Sequence, residues 1–444
     1  SSLYNYYPAD TSVQLSIANT PIPAEEIGNK RFFEHGENAD RKLVEEYNRI
    51  LNDKMKEGVS ILERHRYLTC MVGADDIDIA IPKLARVRSD VTQTLARIRC
   101  DAHALDGEEA LRVVNSIIRP KQRFEFSWEK VEEIRGSRTK DYIAPNFMDF
   151  APEGRADAFE IDGVYGSVLA IRDFGSMLED HYLASIIDLP IPLVVTLHIQ
   201  PIAQPDALAL VKRQLDWMDK EIIDEQMAAV KKGYDYSILP PELRYSKEEA
   251  EELLDFLRNK NERLFVYTGL IYTYADSLDE LDRQVDQITS IAQGNSLGII
   301  TLDYRQKPAL NSVLPFARNH VNLSRHLTTG QIAMQMPFAS QELNQEGGGY
   351  YGQSKQSGNL VICNRKKLAS PMGFVCGKPG SGKSFSVKRE ILNTVLAFKD
   401  DEVIIFDPAG EYGTLVERCK GQNIKFAPDS DRFMNPFDLS AVEG

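Results

Sequence analysis

Apolar residues at Val13, Leu15 and Ile17 alternate with polar ones, which predicts a strand with one buried face, and Tyr67 to Val72 reads as a second. Between them a charged helix is predicted from Ala39 to Lys56, stopped by Gly58. Leu84, Val87, Val91 and Leu95 recur at spacings of three and four, so a helix is predicted over Ile81 to Ile98, with another from Glu108 to Ile118. Residues 1–125 therefore read as a small α+β module. A similar order recurs over residues 126–345. Strands are predicted at Gly163 to Arg172, Leu193 to Gln200, Leu264 to Tyr274 and Leu297 to Leu302, and helices from Pro205, from Ser246 and over Leu278 to Gln293. In the helix from Pro205, the residues Leu208, Val211, Leu215, Met218 and Ile222 form a packing stripe. That stripe fits a helix laid on a sheet, with a coiled-coil arm as the alternative. Pro240 and Pro241, followed by the acidic run Glu248 to Glu252, mark an exposed helix start. Glu346 to Gly358, rich in Gly, Ser and Gln, reads as a boundary, the alternative being a hairpin loop.

The length of 444 residues is that of about three domains, and 43% hydrophobic content is ordinary for a globular chain. A net charge of −14 excludes a chain-wide basic coat for nucleic acid and leaves room only for a local patch. Arg64, Arg66, Arg86 and Arg88 form such a local set, read as salt-bridged surface in preference to a DNA contact. Cys70, Cys100, Cys363, Cys376 and Cys419 are odd in number and scattered, which favours a reducing compartment over a disulfide scaffold or structural zinc. The apolar stretch Ile186 to Ile199 is interrupted by Asp188, Pro190, Pro192 and His198 and is shorter than the roughly 20 residues that span a bilayer. Ser1 to Asp10 carries no secretory-signal pattern. The histidines His35, His65, His103, His181, His198, His320 and His326 lack metal-ligand spacing, and the Asp75, Asp76 pair reads as a helix cap.

One motif carries chemistry. After the apolar run Met372 to Cys376, read as a strand, comes Gly377-Lys378-Pro379-Gly380-Ser381-Gly382-Lys383-Ser384, a full match to G-x-x-x-x-G-K-[ST]. A helix is predicted behind it with Val387, Ile391, Val395 and Phe398 on one face. Glycines let the main chain approach polyphosphate closely, and successive N–H groups from about Gly380 to Phe385 point at the anion from a helix N-terminus. Lys383 is the expected catalytic cation reaching the β and γ oxygens, and the Ser384 hydroxyl is the expected Mg²⁺ ligand. Ser381 lacks the elbow pattern of a serine hydrolase.

A second apolar run, Val403 to Phe406, ends in Asp407, followed by Pro408-Ala409-Gly410-Glu411-Tyr412. Asp407 is open to three readings: the magnesium-holding acid of a Walker B strand, a second-strand acid lining the site, or a structural turn residue. Glu411 shares them.

GKPGSGKS followed by VIIFDPAGEYGTLV resembles the HerA–FtsK group of ring-forming motor ATPases. Upstream, Thr328-Thr329, then Met336-Pro337-Phe338, then the turn Gly347 to Gly352, are similar to the VirB-four/TraC/TraE conjugation ATPases of type IV secretion, in their Gram-positive conjugative-element branch. The resemblance implies a mixed α/β and α+β chain. Its mixed-sheet N-terminal domain of two α+β modules would precede the first part of a RecA-like P-loop NTPase domain at residues 346–444. Pro371 to Gly444 is shorter than a RecA-like core needs, so the expectation is a C-terminally truncated domain that alone does not turn over ATP.

The resemblance further implies an ATP- and Mg²⁺-using motor subunit of a conjugative DNA transfer system. It would form a ring, a hexamer by analogy, on the cytoplasmic face of the membrane. Its N-terminal domain would dock on membrane-embedded channel subunits, with the coupling protein and the relaxase–DNA complex as indirect partners. Two alternatives stand beside it: a translocase or helicase acting directly on DNA, and a nucleotide-binding scaffold without turnover.

Overall fold

The computed structural model describes residues 7–21, 41–57, 62–98, 102–133, 136–174, 182–231, 241–260, 262–335, 347–354, 360–368, 370–398 and 400–427, with isolated positions such as Tyr4 and Phe33 besides. Ala39, Gly58, Pro240, Met336 to Phe338, Glu346 and residues 355–358, on which sequence expectations fall, lie outside them.

In chain order the elements are β1 (Thr11–Pro21), α1 (Arg41–Glu57), β2 (Leu62–Val72), α2 (Ile77–Arg97), α3 (Gly107–Ile118), α4 (Trp128–Glu133), β3 (Met148–Asp149), β4 (Phe159–Ile161), β5 (Val164–Asp173), α5 (Tyr182–Ile187), β6 (Leu193–Pro201), α6 (Gln204–Lys231), α7 (Pro241–Asn259), β7 (Leu264–Ala275), α8 (Leu278–Gly294), β8 (Gly298–Thr301), α9 (Gln306–Val313), β9 (Arg325–Thr328), α10 (Thr329–Met334), β10 (Gly349–Gln353), β11 (Leu360–Cys363), α11 (Lys383–Ala397) and α12 (Gly413–Arg418). The chain divides into two compact units. One comprises Ser1–Pro21 and Leu62–Ser340, the other Ile22–Ile61 and Gln341–Gly444.

The first unit is a nine-stranded sheet ordered β2-β1-β6-β7-β5-β4-β3, with β8 also on β5 and β9 also on β7, and every ladder is antiparallel. One sheet thus draws strands from both sides of residue 125. Its central strands are apolar on both faces because both faces are covered. On one side Val13, Leu15, Ile17, Leu193, Val195 and Leu197 pack with α5, α8 and α10. On the other, Ala18, Val168, Ala170 and Val194 pack with α3 and α9. Asp76 caps α2, and a reciprocal capping box of Asp106 and Glu109 starts α3.

Two expectations change. The stripe on α6 packs chiefly on α7: Ala207 and Val211 meet Leu257, with Leu253 and Leu254 alongside, and Lys247 pairs with Asp219 at 2.7 Å. The pair is a helical hairpin whose apolar stripes cover each other, with Leu264 at the start of β7 in the same cluster. Of the arginines, Arg64 is a buried structural group, donating to Asn19 Oδ1, Asp188 Oδ1 and the Ile187 carbonyl at 2.9 to 3.0 Å. Arg86 lies 3.8 Å from Asp90 at the surface.

His198 on β6 is a packed core residue whose Nε2 lies 2.7 Å from the Ser312 carbonyl. Burial holds its imidazole down at about 4, against an ordinary value of 6.5. The unfolded chain therefore binds a proton below about 6.5 that the folded chain refuses until about 4, so stability falls as pH drops through that window. Urea titrations at pH 7 and pH 4.5 are expected to show a loss of roughly 2–3 kcal/mol that His198→Gln largely removes. Equal losses in both proteins would contradict this.

Candidate nucleotide-binding site

The second unit carries the phosphate-binding loop. Gly380 and Gly382 have φ of 78° and 84°, in the left-handed region that glycine adopts without strain, and Gly382 caps α11. The Ser381 N–H donates to the Lys378 carbonyl at 3.1 Å, and a Cβ on Gly377 would collide with the Ser381 hydroxyl. Lys383 Nζ donates to the Gly377 carbonyl at 2.9 Å, folding the ammonium back across the loop. Ser384 follows on the first turn of α11, and Phe385 is exposed. Backbone donors at a helix start, with a cation folded over a loop too tight at Gly377 for a Cβ, suit a polyphosphate. Gly377 to Phe385 would hold the nucleotide. Mg²⁺, taken by the Ser384 hydroxyl, would supply positive charge against the phosphate oxygens.

The helix behind the loop is held by residues the sequence patterns did not single out. Asn393 is buried, donates to the Tyr350 carbonyl at 2.8 Å and accepts from the Tyr47 hydroxyl. A Cβ on Gly349 would meet its side chain at 2.7 Å. Glu390 accepts from the Tyr351 hydroxyl at 2.6 Å and from Arg365 Nη1 at 2.7 Å; burial first, and then the bond to Glu390, raises the Tyr351 hydroxyl's pKa, and the bond to Glu390 raises that of Arg365. Leu396 packs with Phe33, Val44 and Leu51, so α1 and the β10–β11 hairpin together brace α11. The expected linker around Gly349 to Gln353 is thus a β-strand paired with β11.

The predicted face of α11 is only half-buried at Val387, Ile391 and Val395, whereas Asn393 and Leu396 are buried. The runs Met372 to Cys376 and Val403 to Phe406 have no regular secondary structure and join no ladder among the described residues. Phe374 is 92% and Phe406 83% exposed. With no neighbour to pair with among the described residues, neither run is a strand, and that face of α11 stays half-buried.

Asp407 binds its own turn. Its two oxygens accept the Gly410 and Tyr412 N–H groups, each at 2.9 Å, and these bonds, Tyr412's the largest, hold its carboxyl below the ordinary value. Lys388 of α11 lies over the Tyr412 ring at 5.5 Å from its centroid. Glu411 is exposed on that turn. Among the described residues, no group of three or more His, Cys, Asp or Glu could hold a metal, and no helix is long and apolar enough to cross a membrane.

A glycine-rich loop opening a helix with Lys383 and Ser384 at its start defines a P-loop nucleotide-binding segment. Residues 355–443 match the family model described as Helicase HerA, central domain, a likeness of that segment that supports the HerA–FtsK group of P-loop ATPases. No curated protein matches the chain.

Proposed function

We propose that this protein is the ATP-driven motor subunit of a type IV secretion or conjugative DNA transfer system. Its first unit would dock on membrane-embedded channel subunits, and its second would bind ATP with Mg²⁺ between neighbours of a ring. The observation that carries the reading is a Walker-type loop with Lys383 over Gly377, inside a segment matching the HerA central domain. The likeness of Thr328-Thr329, Met336-Pro337-Phe338 and the Gly347 to Gly352 turn to the conjugation ATPases supports the finer role. ATP held between subunits has different contacts from ADP, and that difference is what can shift one domain against another.

The test is donor cells that lack this gene and carry the rest of the transfer system. Wild-type protein is expected to restore transfer and Lys383→Ala to leave it at the level of the deletion. Equal restoration by both would overturn the reading. A second reading, a motor that grips DNA itself, is favoured by the helicase description of the matching family. It predicts DNA-stimulated ATPase activity and DNA affinity falling steeply with salt, as counterion release requires.

A further inference from the structure

β2 ends the large sheet, with β1 on one side and no strand on the other among the described residues. From Leu68 to Val72 the N–H and C=O groups of alternate residues point away from β1 and meet no backbone partner there. Such an edge is a template for another strand.

The edge lies in a groove of about 660 Å³. Ala80 and Leu84 of α2 form one wall, Leu314 and Phe316, just after α9, form the other, and Thr69 to Val72 lie between. Both sides of β2 are used: Leu68 and Cys70 pack toward the core that α2 joins, and Tyr67 toward the opposite core. A strand beside β2 would likewise send alternate side chains to Leu84 and to Phe316.

Each wall presents an uncovered apolar residue, although Leu314 itself is buried. Leu84 is 40% and Phe316 50% exposed. α2 has no fully buried residue over its 21 positions, and Ile77, Ile81 and Leu84 form an exposed stripe at helical spacing. Arg318 and His320 line the same groove, and neither side chain meets a carboxylate among the described residues. The loop that carries them is fixed, because the His320 N–H donates to Ser312 Oγ at 2.8 Å and the Ala317 N–H to the buried Gln14 at 2.7 Å.

We infer that the edge of β2 over Leu68–Val72 is a docking site for an extended segment of a partner protein, apolar on both faces and carrying a carboxylate, which adds as a tenth strand between α2 and the 314–320 loop. Main-chain hydrogen bonds to Leu68–Val72 would give affinity, the two walls would select apolar side chains, and Arg318 with His320 would select the acid. The inference is independent of the nucleotide chemistry.

The probe is a pair of end-blocked, labelled peptides with a central run of valine and isoleucine and an aspartate at one end or the other, titrated onto the 444-residue protein by fluorescence anisotropy. At least one is expected to bind and to protect alternate amides of Leu68–Val72 from hydrogen exchange. N-methylation of alternate peptide amides, or Phe316→Asp, is expected to weaken binding by about tenfold or more. Arg318→Glu is expected to weaken the aspartate peptide and to favour its lysine counterpart. Both substituted residues are exposed, and circular dichroism checks that the fold is kept. Absence of binding by either peptide at millimolar concentration would overturn the proposal, as would binding indifferent to N-methylation. Self-association that protects β2 without peptide would also overturn it, assigning the edge to a second copy of the chain.

Discussion

Lys383→Ala is expected to lower ATP affinity by roughly 30- to 1,000-fold, because a loss of about 2–4 kcal/mol corresponds to that range. Two unit charges 4 Å apart near a protein surface attract by about 4 kcal/mol, and part of that is offset by desolvating the ammonium. Lys383 Nζ already rests on the Gly377 carbonyl at 2.9 Å, on the inner side of the loop, so little reorganisation separates its present position from one facing phosphate. The side chain is exposed, so its removal leaves no cavity and the thermal unfolding of the protein should be unchanged. Titration of a fluorescent ATP analogue in the presence of Mg²⁺ measures the effect. Lys388→Ala, five residues on and directed at the Tyr412 ring, is the control and should bind nearly as the wild type does. A Lys383→Ala protein that binds within threefold of wild type would remove the cation from the site's chemistry.

That loop could be read from the chain because everything it needs is local. The glycines, Lys383 and Ser384 act through backbone conformation and helix position, both set within eight residues. The sheet was legible where burial is two-sided: β6 and β7 are long apolar runs because helices cover both faces, and such runs stand out without knowledge of their partners. Partner choice was not legible. α1 shows ordinary helical spacing, yet Val44 and Leu51 bury against Leu396, over 300 residues away, while β1 and β2 on either side of it pair with each other. Nothing in a stripe names the surface that will cover it, which is also why the stripe on α6 suggested a sheet and found α7. The bracing of α11 was hidden for the same reason. Asn393 and Glu390 look like polar helix residues until Tyr47, Tyr350, Tyr351 and Arg365 are brought to them.

Gln14→Leu is expected to destabilise the first unit by roughly 3–5 kcal/mol, since each buried polar group left unpaired costs about 1–3 kcal/mol. Gln14 is fully buried in β1. Its Nε2 donates to Ser16 Oγ and to the Val313 and Leu314 carbonyls at 3.0 to 3.1 Å, and its Oε1 accepts the Ala317 N–H at 2.7 Å. Leucine fills the volume and satisfies none of these groups, so the cost is polar and not a matter of packing. The loss should concentrate in the loop after α9, because Ala317 has φ of 53°, a left-handed conformation that costs a non-glycine residue about 1–2 kcal/mol and that Gln14 helps to hold. Ala317→Gly relieves that cost and should recover part of the lost stability in the double variant. Urea midpoints of the four proteins, wild type, each single variant and the double, measure both effects as a cycle. Because the loop carries Phe316 and Arg318, Gln14→Leu should also raise hydrogen exchange at residues 314–320 before global unfolding. A Gln14→Leu protein within about 1 kcal/mol of wild type, with that loop still protected, would mean that the four bonds are replaced by water and do not fix the groove wall.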